Sequence, residues 1–303
     1  MVEKKQWMRS ASSGDGKIFS RLWVGEEKRA VLQIAHGMAE HSARYDDFAC
    51  FMAEHGYVIC MNDHAGHGPY ARTKGHFSDK DGWEHVVQDM KNLMDEVSEQ
   101  YQGLPVFLMG HSMGSFLSRS YIIRNGGLTG CVLAGTMGYN GGLRFGRMLA
   151  IIQKKLKGPK SRGKFLDKLG TGNYNKRISN PVNNFAWLST VDEVCIAYEE
   201  DEYCGFEFTA AGYYDMCSGL MEINSSDWAA KVPKDLPLYL LAGDDDPVGN
   251  YGKGPREVYD ALVATGHDAQ LKLYPGKRHE MLNESNRQEV YNDVLDWLDK
   301  HIS

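Results

Sequence analysis

No run of apolar residues in this sequence reaches the length of a bilayer-spanning helix, so no membrane span is expected. The six cysteines, at 50, 60, 131, 195, 204 and 217, form no CxxC pair and no disulfide-framework spacing. Thiols scattered in this way are expected to be buried and reduced, which suits a cytoplasmic protein rather than a stapled secreted one. Basic residues are not in excess. Lys and Arg number 34 against 40 Asp and Glu, a formal net charge of −6, so nothing points to nucleic acid. The opening "MVEKKQWMRS" has no apolar segment behind it that would read as a signal peptide. There is no internal repeat and no low-complexity linker, and the chain is expected to form one domain, 1–303.

What the sequence does contain is a rhythm. Short apolar runs, "RAVLQIAHG" (29–37), "YVICMNDH" (57–64), "LPVFLMG" (104–110), "LTGCVLAGT" (128–136), "LPLYLLAG" (236–243) and "AQLKLYPG" (269–276), have the length of strands. Their continuous apolarity predicts burial on both faces, as in a parallel sheet covered by helices. Helical spacing predicts the covering elements at 43–55, 83–101, 113–125, 254–265 and 285–300. The Gly-Asp-Gly turn at 14–16 predicts an antiparallel hairpin at the sheet edge. Strand–helix alternation of this kind defines a doubly wound α/β fold.

One interval breaks the rhythm. Between "CVLAGT" and "LPLYLLAG" the chain is too long for a simple crossover. Residues 209–224 can supply the returning helix, and 138–208 are expected to form an inserted subdomain. Its stretch 143–169 carries nine Lys and Arg and one Asp, whereas 192–207 carries seven Asp and Glu and no Lys or Arg. The two runs are candidates to pair with each other. Leu143, Phe145, Met148, Leu149, Ile151, Ile152 and Leu156 lie within the basic run. They fit either a helix packed on the core or an amphipathic helix resting on an anionic lipid surface.

Three strand ends carry chemistry. The first, Gly110-His111-Ser112-Met113-Gly114, lies between a strand and a helix, the context of a nucleophile elbow. Small residues permit the tight turn, and the helix N-terminus favours negative charge developing at Ser112. A serine hydroxyl needs a base held by a third group. His279 follows a later strand, whereas His267 precedes that strand and so falls at the wrong edge. The acid comes from Asp244, Asp245 and Asp246 in "LLAGDDDPVG". The three allow a solvated turn, a cation site or one working carboxylate, and spacing alone does not separate these. They do not match a calcium-binding loop.

Five pieces, "HGMAEHSARY" (36–45), "NDHAGHG" (62–68), "GHSMG" (110–114), "GDDDPV" (243–248) and "RHEMLNE" (278–284), run through the chain in order. Together they resemble the monoacylglycerol lipase and lysophospholipase-like branch of the serine α/β-hydrolases. The resemblance implies an α/β-hydrolase fold with a cap at the insertion. It also implies a catalytic triad of Ser112, Asp246 and His279, with Asp244 the alternative acid. The oxyanion donors would be the backbone N–H groups of Met38 and Met113. Gly37, Glu40, His41 and Arg44 are expected to brace that loop. Asp63, His64 and His67 are expected to be hydrogen-bonded structure rather than metal ligands, and the family needs no metal or other cofactor. "GHGPYARTKGHF" departs from the family pattern after "GHG", which leaves the local loop path open.

The function so implied is hydrolysis of a monoacylglycerol, lysophospholipid or similar single-chain carboxylic ester through an acyl-enzyme. The partner is a small ester, with transient membrane-surface contact through the insertion. The same triad also suits a thioesterase, an acyltransferase or a peptidase, the last favoured if the acidic run lines the pocket. A catalytically silent binding protein is a further alternative.

Overall fold

The computed structural model describes residues 1–302 of the chain. The N-terminal hairpin is formed by β1 (Glu3–Ser10) and β2 (Lys17–Val24). Then follow β3 (Ala30–Ala35), α1 (Asp46–Glu54), β4 (Tyr57–Asn62), α2 (Gly82–Gln100), β5 (Val106–His111), α3 (Met113–Ile122) and β6 (Gly130–Ala134). A long crossover carries α4 (Leu143–Lys157), α5 (Lys164–Thr171), α6 (Asp192–Glu200), α7 (Ala210–Ile223) and α8 (Trp228–Lys231). The chain closes with β7 (Leu238–Gly243), α9 (Lys253–Ala264), β8 (Ala269–Tyr274) and α10 (Arg287–Asp299).

The strands form one eight-stranded sheet in the order β1-β2-β4-β3-β5-β6-β7-β8. β1 and β2 pair antiparallel, as do β2 and β4, and every later pair is parallel. Strands β3, β4, β6 and β7 are buried along their whole length, the reason their sequences are apolar without alternation. Helices α1 and α10 pack on one face through Phe48, Met52, Val290 and Trp297. Helices α2, α3, α7 and α9 cover the other through Val86, Leu117, Leu220 and Leu262.

The parallel register matters for function because it gathers strand ends along one edge. Ala35 lies opposite Gly110, His111 opposite Ala134, and Gly243 opposite Tyr274. The loops that follow β3, β5, β7 and β8 therefore converge at the carboxyl edge, where open α/β sheets carry their sites.

The returning helix falls where expected, as α7. Among the described residues the charged side chains of the two runs form no ion pair with each other. Arg147 turns to Ser218 and Tyr214, Arg162 to the carbonyls of Lys74 and Glu207, and Asp201 to His41. Arg147 and Arg162 found nearer acceptors on packed structure. The unmatched loop after "GHG" doubles back, with the Gly75 N–H bonded to the Gly66 carbonyl.

Candidate active site

Ser112 occupies the turn between β5 and α3 with φ of 53°, a region that costs a non-glycine residue energy. The turn closes because its neighbours lack side chains. A Cβ on Gly114 would stand 2.0 Å from the Ala35 carbonyl oxygen, and one on Gly110 would stand 2.2 Å from that of Gly114. The Ser112 N–H donates to the Ala134 carbonyl at 2.9 Å, and the Ser112 carbonyl receives the Ser115 and Phe116 amides. The strained residue is held from both sides.

His279 follows β8 and is 1% exposed. Its Nδ1 lies 2.9 Å from Oδ2 of Asp246, whose other oxygen accepts the Val248 N–H at 2.8 Å. A carboxylate can only accept, so Nδ1 carries the proton and Nε2 presents a lone pair. That Nε2 is buried without a hydrogen-bond partner among the described residues, and His279 lines the same cavity as Ser112.

The three aspartates differ in burial. Asp246 is fully buried, Asp245 half-buried and Asp244 exposed. Asp244 accepts the Gly276 N–H at 2.6 Å and so fastens the turn after β8. His267 is buried at the opposite edge of the sheet, its ring bonded to the carbonyls of Val232 and Leu262.

The loop after β3 brings Met38 to the cavity wall, where Met113 also lies. Glu40 Oε1 accepts the Gly37 N–H at 2.6 Å and the Tyr45 hydroxyl at 2.8 Å. Arg44 bonds Glu40 at 2.5 Å and grips Glu280 with both terminal nitrogens, at 2.6 and 2.7 Å. Burial opposes ionisation of Glu40, but the His111 hydrogen bond and the Arg44 charge hold its carboxyl well below the usual range. Burial likewise pulls the His111 imidazole down, and its bond to Glu40 more than reverses this. The other His111 nitrogen meets the His279 carbonyl at 3.2 Å, and the Tyr45 hydroxyl stands 3.1 Å from Nδ1 beside Glu40.

Ala39 is the second non-glycine residue here at positive φ, 54°. Its N–H donates to His67 Nε2 at 3.2 Å. Its carbonyl accepts the Tyr198 hydroxyl at 2.7 Å and the Gly205 N–H at 2.9 Å, both from the long crossover. His36 bridges the Gly37 carbonyl and the His64 N–H in the same manner. Burial holds the imidazoles of His36 at about 4 and His67 at about 3, in the neutral form that can both donate and accept. Asp63 accepts the Ser42 N–H, so the "NDHAGHG" residues serve as hydrogen-bonded structure. Of the predicted bracing residues, His41 turns away, to Asp201.

Above these groups lies a cavity of about 800 Å³, walled by Phe116, Leu143, Leu166, Met216 and Leu220 among others. None of the seven carboxylates in 192–207 lines it; that run contributes Tyr198, Gly205 and Phe206.

Three features were not legible in the sequence. Trp187 lays its ring against His279, centroids 5.2 Å apart. Tyr198 holds Ala39, and Arg278 donates to the carbonyls of Ala186 and Ser189, both at 2.8 Å. All are contacts across distant sequence. Only the adjacency of Arg278 and Glu280 to His279 hinted at part of them.

The sheet, its helices and the serine on a strained strand-to-helix turn make this an α/β-hydrolase. The chain belongs to the family described as serine aminopeptidase, S33, whose model matches residues 26–286. It is 28% identical to the monoacylglycerol lipase of Mycolicibacterium smegmatis, over 96% of each chain. It is 30% identical to phospholipase YtpA of Bacillus subtilis, covering 92% of this chain and 99% of that one. Among solved structures, a highly thermostable carboxyl esterase from Bacillus coagulans, in complex with glycerol, superposes with a TM-score of 0.94 at 31% identity, covering 99% of both chains.

Proposed function

We propose that the protein is a serine ester hydrolase acting on monoacylglycerols, lysophospholipids or similar single-chain esters. The observation that carries this reading is the cavity. Its apolar wall leads to a serine on a strained turn, and the same cavity is lined by a histidine that is paired with a buried aspartate and keeps its Nε2 unpartnered. The kinship with a monoacylglycerol lipase, a phospholipase and a carboxyl esterase supports it.

In this reading His279 Nε2 removes the Ser112 proton as the hydroxyl attacks the ester carbonyl. Asp246 keeps the proton on Nδ1 and stabilises the imidazolium that forms. The Met38 and Met113 N–H groups receive the oxyanion, with Gly37, Glu40 and Arg44 fixing the loop that presents Met38. His279 then protonates the leaving alcohol, and water releases the acid from the acyl-enzyme. No metal or other cofactor enters the steps.

Segment 138–208 serves as a cap over the cavity. Phe145, Met148, Ile152 and Leu156 on α4, with Phe165 and Leu169 on α5, are between 46% and 77% exposed, amid the lysines of both helices. This face suits transient docking on an anionic lipid surface from which a single-chain ester enters. Among the described residues no helix is long and apolar enough to cross a membrane. A cytoplasmic location and the absence of a nucleic-acid partner remain part of the proposal. A peptidase would need a free carboxylate for the substrate amine. The acidic run lies off the cavity wall; of the carboxylates on the wall, Glu40 and Glu280 are engaged by Arg44 and Asp167 accepts the Tyr213 hydroxyl.

The test is hydrolysis of 1-monoacylglycerols from short to long acyl chains, with Ser112→Ala as control. Maximal rates at medium or long chains, and a loss of about 10⁴-fold or more in the variant, are expected. Near-full activity of Ser112→Ala would overturn the mechanism, and activity confined to the shortest chains would overturn the lipid assignment.

A further inference from the structure

Beside the cavity, and outside its wall, three side chains from distant parts of the sequence converge. His41 lies just after the loop that carries Met38. Asp201 and Cys204 lie on the turn that follows α6. His41 Nε2 is 2.8 Å from Asp201 Oδ2, across a separation of 160 residues. The Cys204 sulfur completes a set in which all donor atoms lie within 4.8 Å of one another. We propose that His41, Asp201 and Cys204 form a binding site for a borderline-soft divalent cation such as Zn²⁺, which cross-links the long crossover to the Met38 loop.

The donor chemistry fits. Imidazole, carboxylate and thiolate are the ligands that zinc selects, and three protein ligands with water in the fourth position is a recurrent arrangement. Donors around tetrahedral zinc stand ~3.3–3.8 Å apart, so the group must contract by about 1 Å on its longest edge, within the reach of side-chain rotation.

The supporting shell is present. The other Asp201 oxygen accepts the Tyr203 N–H at 2.8 Å, and the Cys204 N–H bonds the Asp201 carbonyl at 2.9 Å. These bonds fix the turn that sets Asp201 and Cys204 on one side, as outer partners do for metal ligands. Access is available, since the His41 and Asp201 side chains keep 10% and 30% of their surface exposed. The nearby guanidinium of Arg44 is already matched by Glu40 and Glu280, so its charge does not stand against a cation.

Coordination balances simply. The Cys204 thiol gives its proton to solvent. His41, whose Nε2–H is donated to Asp201 before the ion binds, loses that proton to solvent and takes one up on Nδ1. The neutral imidazole then presents the Nε2 lone pair, and one proton is released overall. The ion would add a third link to the two hydrogen bonds, from Tyr198 and Gly205, that already meet the Ala39 carbonyl.

The experiment is titration of the full chain with Co²⁺ as a spectroscopic probe. We expect a thiolate-to-cobalt charge-transfer band saturating at one equivalent, displaced by Zn²⁺. It should be absent in Cys204→Ser and at least tenfold weaker in apparent affinity in Asp201→Asn, with unchanged circular dichroism in both. Zn²⁺ at about a hundredfold excess over its Kd should raise the wild-type Tm by about 3–6 °C, and Cys204→Ser should lose the shift. If Cys204→Ser does not fold, Asp201→Asn decides alone. No thiolate band in the wild type, or a band that survives undiminished in the folded variant, overturns the proposal; the latter would assign the ion to the partly exposed Cys50 or Cys217.

Discussion

Residues 139–177 and residues 183–205 belong to one crossover, yet they meet the rest of the molecule on different terms. The first stretch packs on α7 and walls the cavity through Leu143 and Leu166, and its Asp167 accepts the Tyr213 hydroxyl at 2.7 Å. Arg147 reaches Ser218 and Tyr214 on α7, the Tyr139 N–H reaches Glu257, and Arg177 lies over the Tyr251 ring. Its apolar stripe faces solvent. The second stretch is bonded into the loops at the carboxyl edge of the sheet. The Glu280 N–H donates to the Leu188 carbonyl at 2.7 Å, and Arg278 holds Ala186 and Ser189. Glu284, 1% exposed, gathers the Thr190 amide and hydroxyl together with the Arg278 amide. Tyr198 and Gly205 then fasten Ala39. One half of the crossover walls the cavity and leaves an apolar surface to solvent, and the other fastens the loops beneath the cavity. The difference teaches that covering an active site and building it are separable jobs within one excursion of the chain.

The comparison can be broken most severely at the bonded half. Arg278→Ala leaves two buried carbonyls with only the weak Cys195 thiol as donor and frees the loop that carries His279. We expect a loss of about 2–3 kcal/mol in unfolding free energy and a tenfold to hundredfold fall in kcat, read by urea melts and steady-state kinetics. An unchanged kcat would mean that the His279 loop holds its own shape. Tyr198→Phe removes one of the two bonds to the Ala39 carbonyl. Here kcat should fall about threefold to tenfold with little change in Tm.

A pH experiment sharpens the same point from the core side. The folded-state pKa values of His36 and His67 lie below the ordinary value of 6.5, so the unfolded chain binds more protons than the folded one in between. Their contribution to stability is complete above pH 6.5 and is lost as pH falls toward about 4 for His36 and about 3 for His67. Urea midpoints should fall through that window, and His67→Gln, which can still accept the Ala39 N–H without titrating, should flatten the decline.

The smallest effect on catalysis is expected in the surface half. Replacing Met148, Ile152 and Leu156, which stand off the cavity wall, by serine should leave kcat on a water-soluble short-chain ester within about twofold. Binding to anionic vesicles should weaken sharply, and wild-type binding should itself fall with salt. Binding that ignores both salt and these substitutions would remove the docking role from α4.

Much of this was readable in advance, for physical reasons. Strands buried on both faces announce themselves by unbroken apolarity, and Gly110 and Gly114 mark a turn that no larger residue can make. Ser112, Asp246 and His279 stand at strand ends, where local pattern and position coincide. What the sequence concealed was the choice among adjacent aspartates on residue evidence alone, since burial separates Asp246 from Asp244 and burial belongs to the folded whole. The Trp187–His279 contact and the Tyr198–Ala39 bond were hidden for the same reason. Each joins residues whose separation along the chain carries no period. The charge runs misled because long basic side chains take whichever acceptor packing brings near, and for Arg162 that was a pair of backbone carbonyls.

Ala39 sets a rule for anyone who would re-engineer this protein. Its amide is held by the sheet side through His67 and its carbonyl by the crossover, so the peptide beside Met38 is shared property of two regions. A chimera that exchanges the whole excursion with that of a relative would carry away half of that grip along with the substrate-facing helices. Splicing near residues 138 and 178 instead would trade the surface and leave the clasp intact, which divides specificity from catalysis at a place the chain itself has marked.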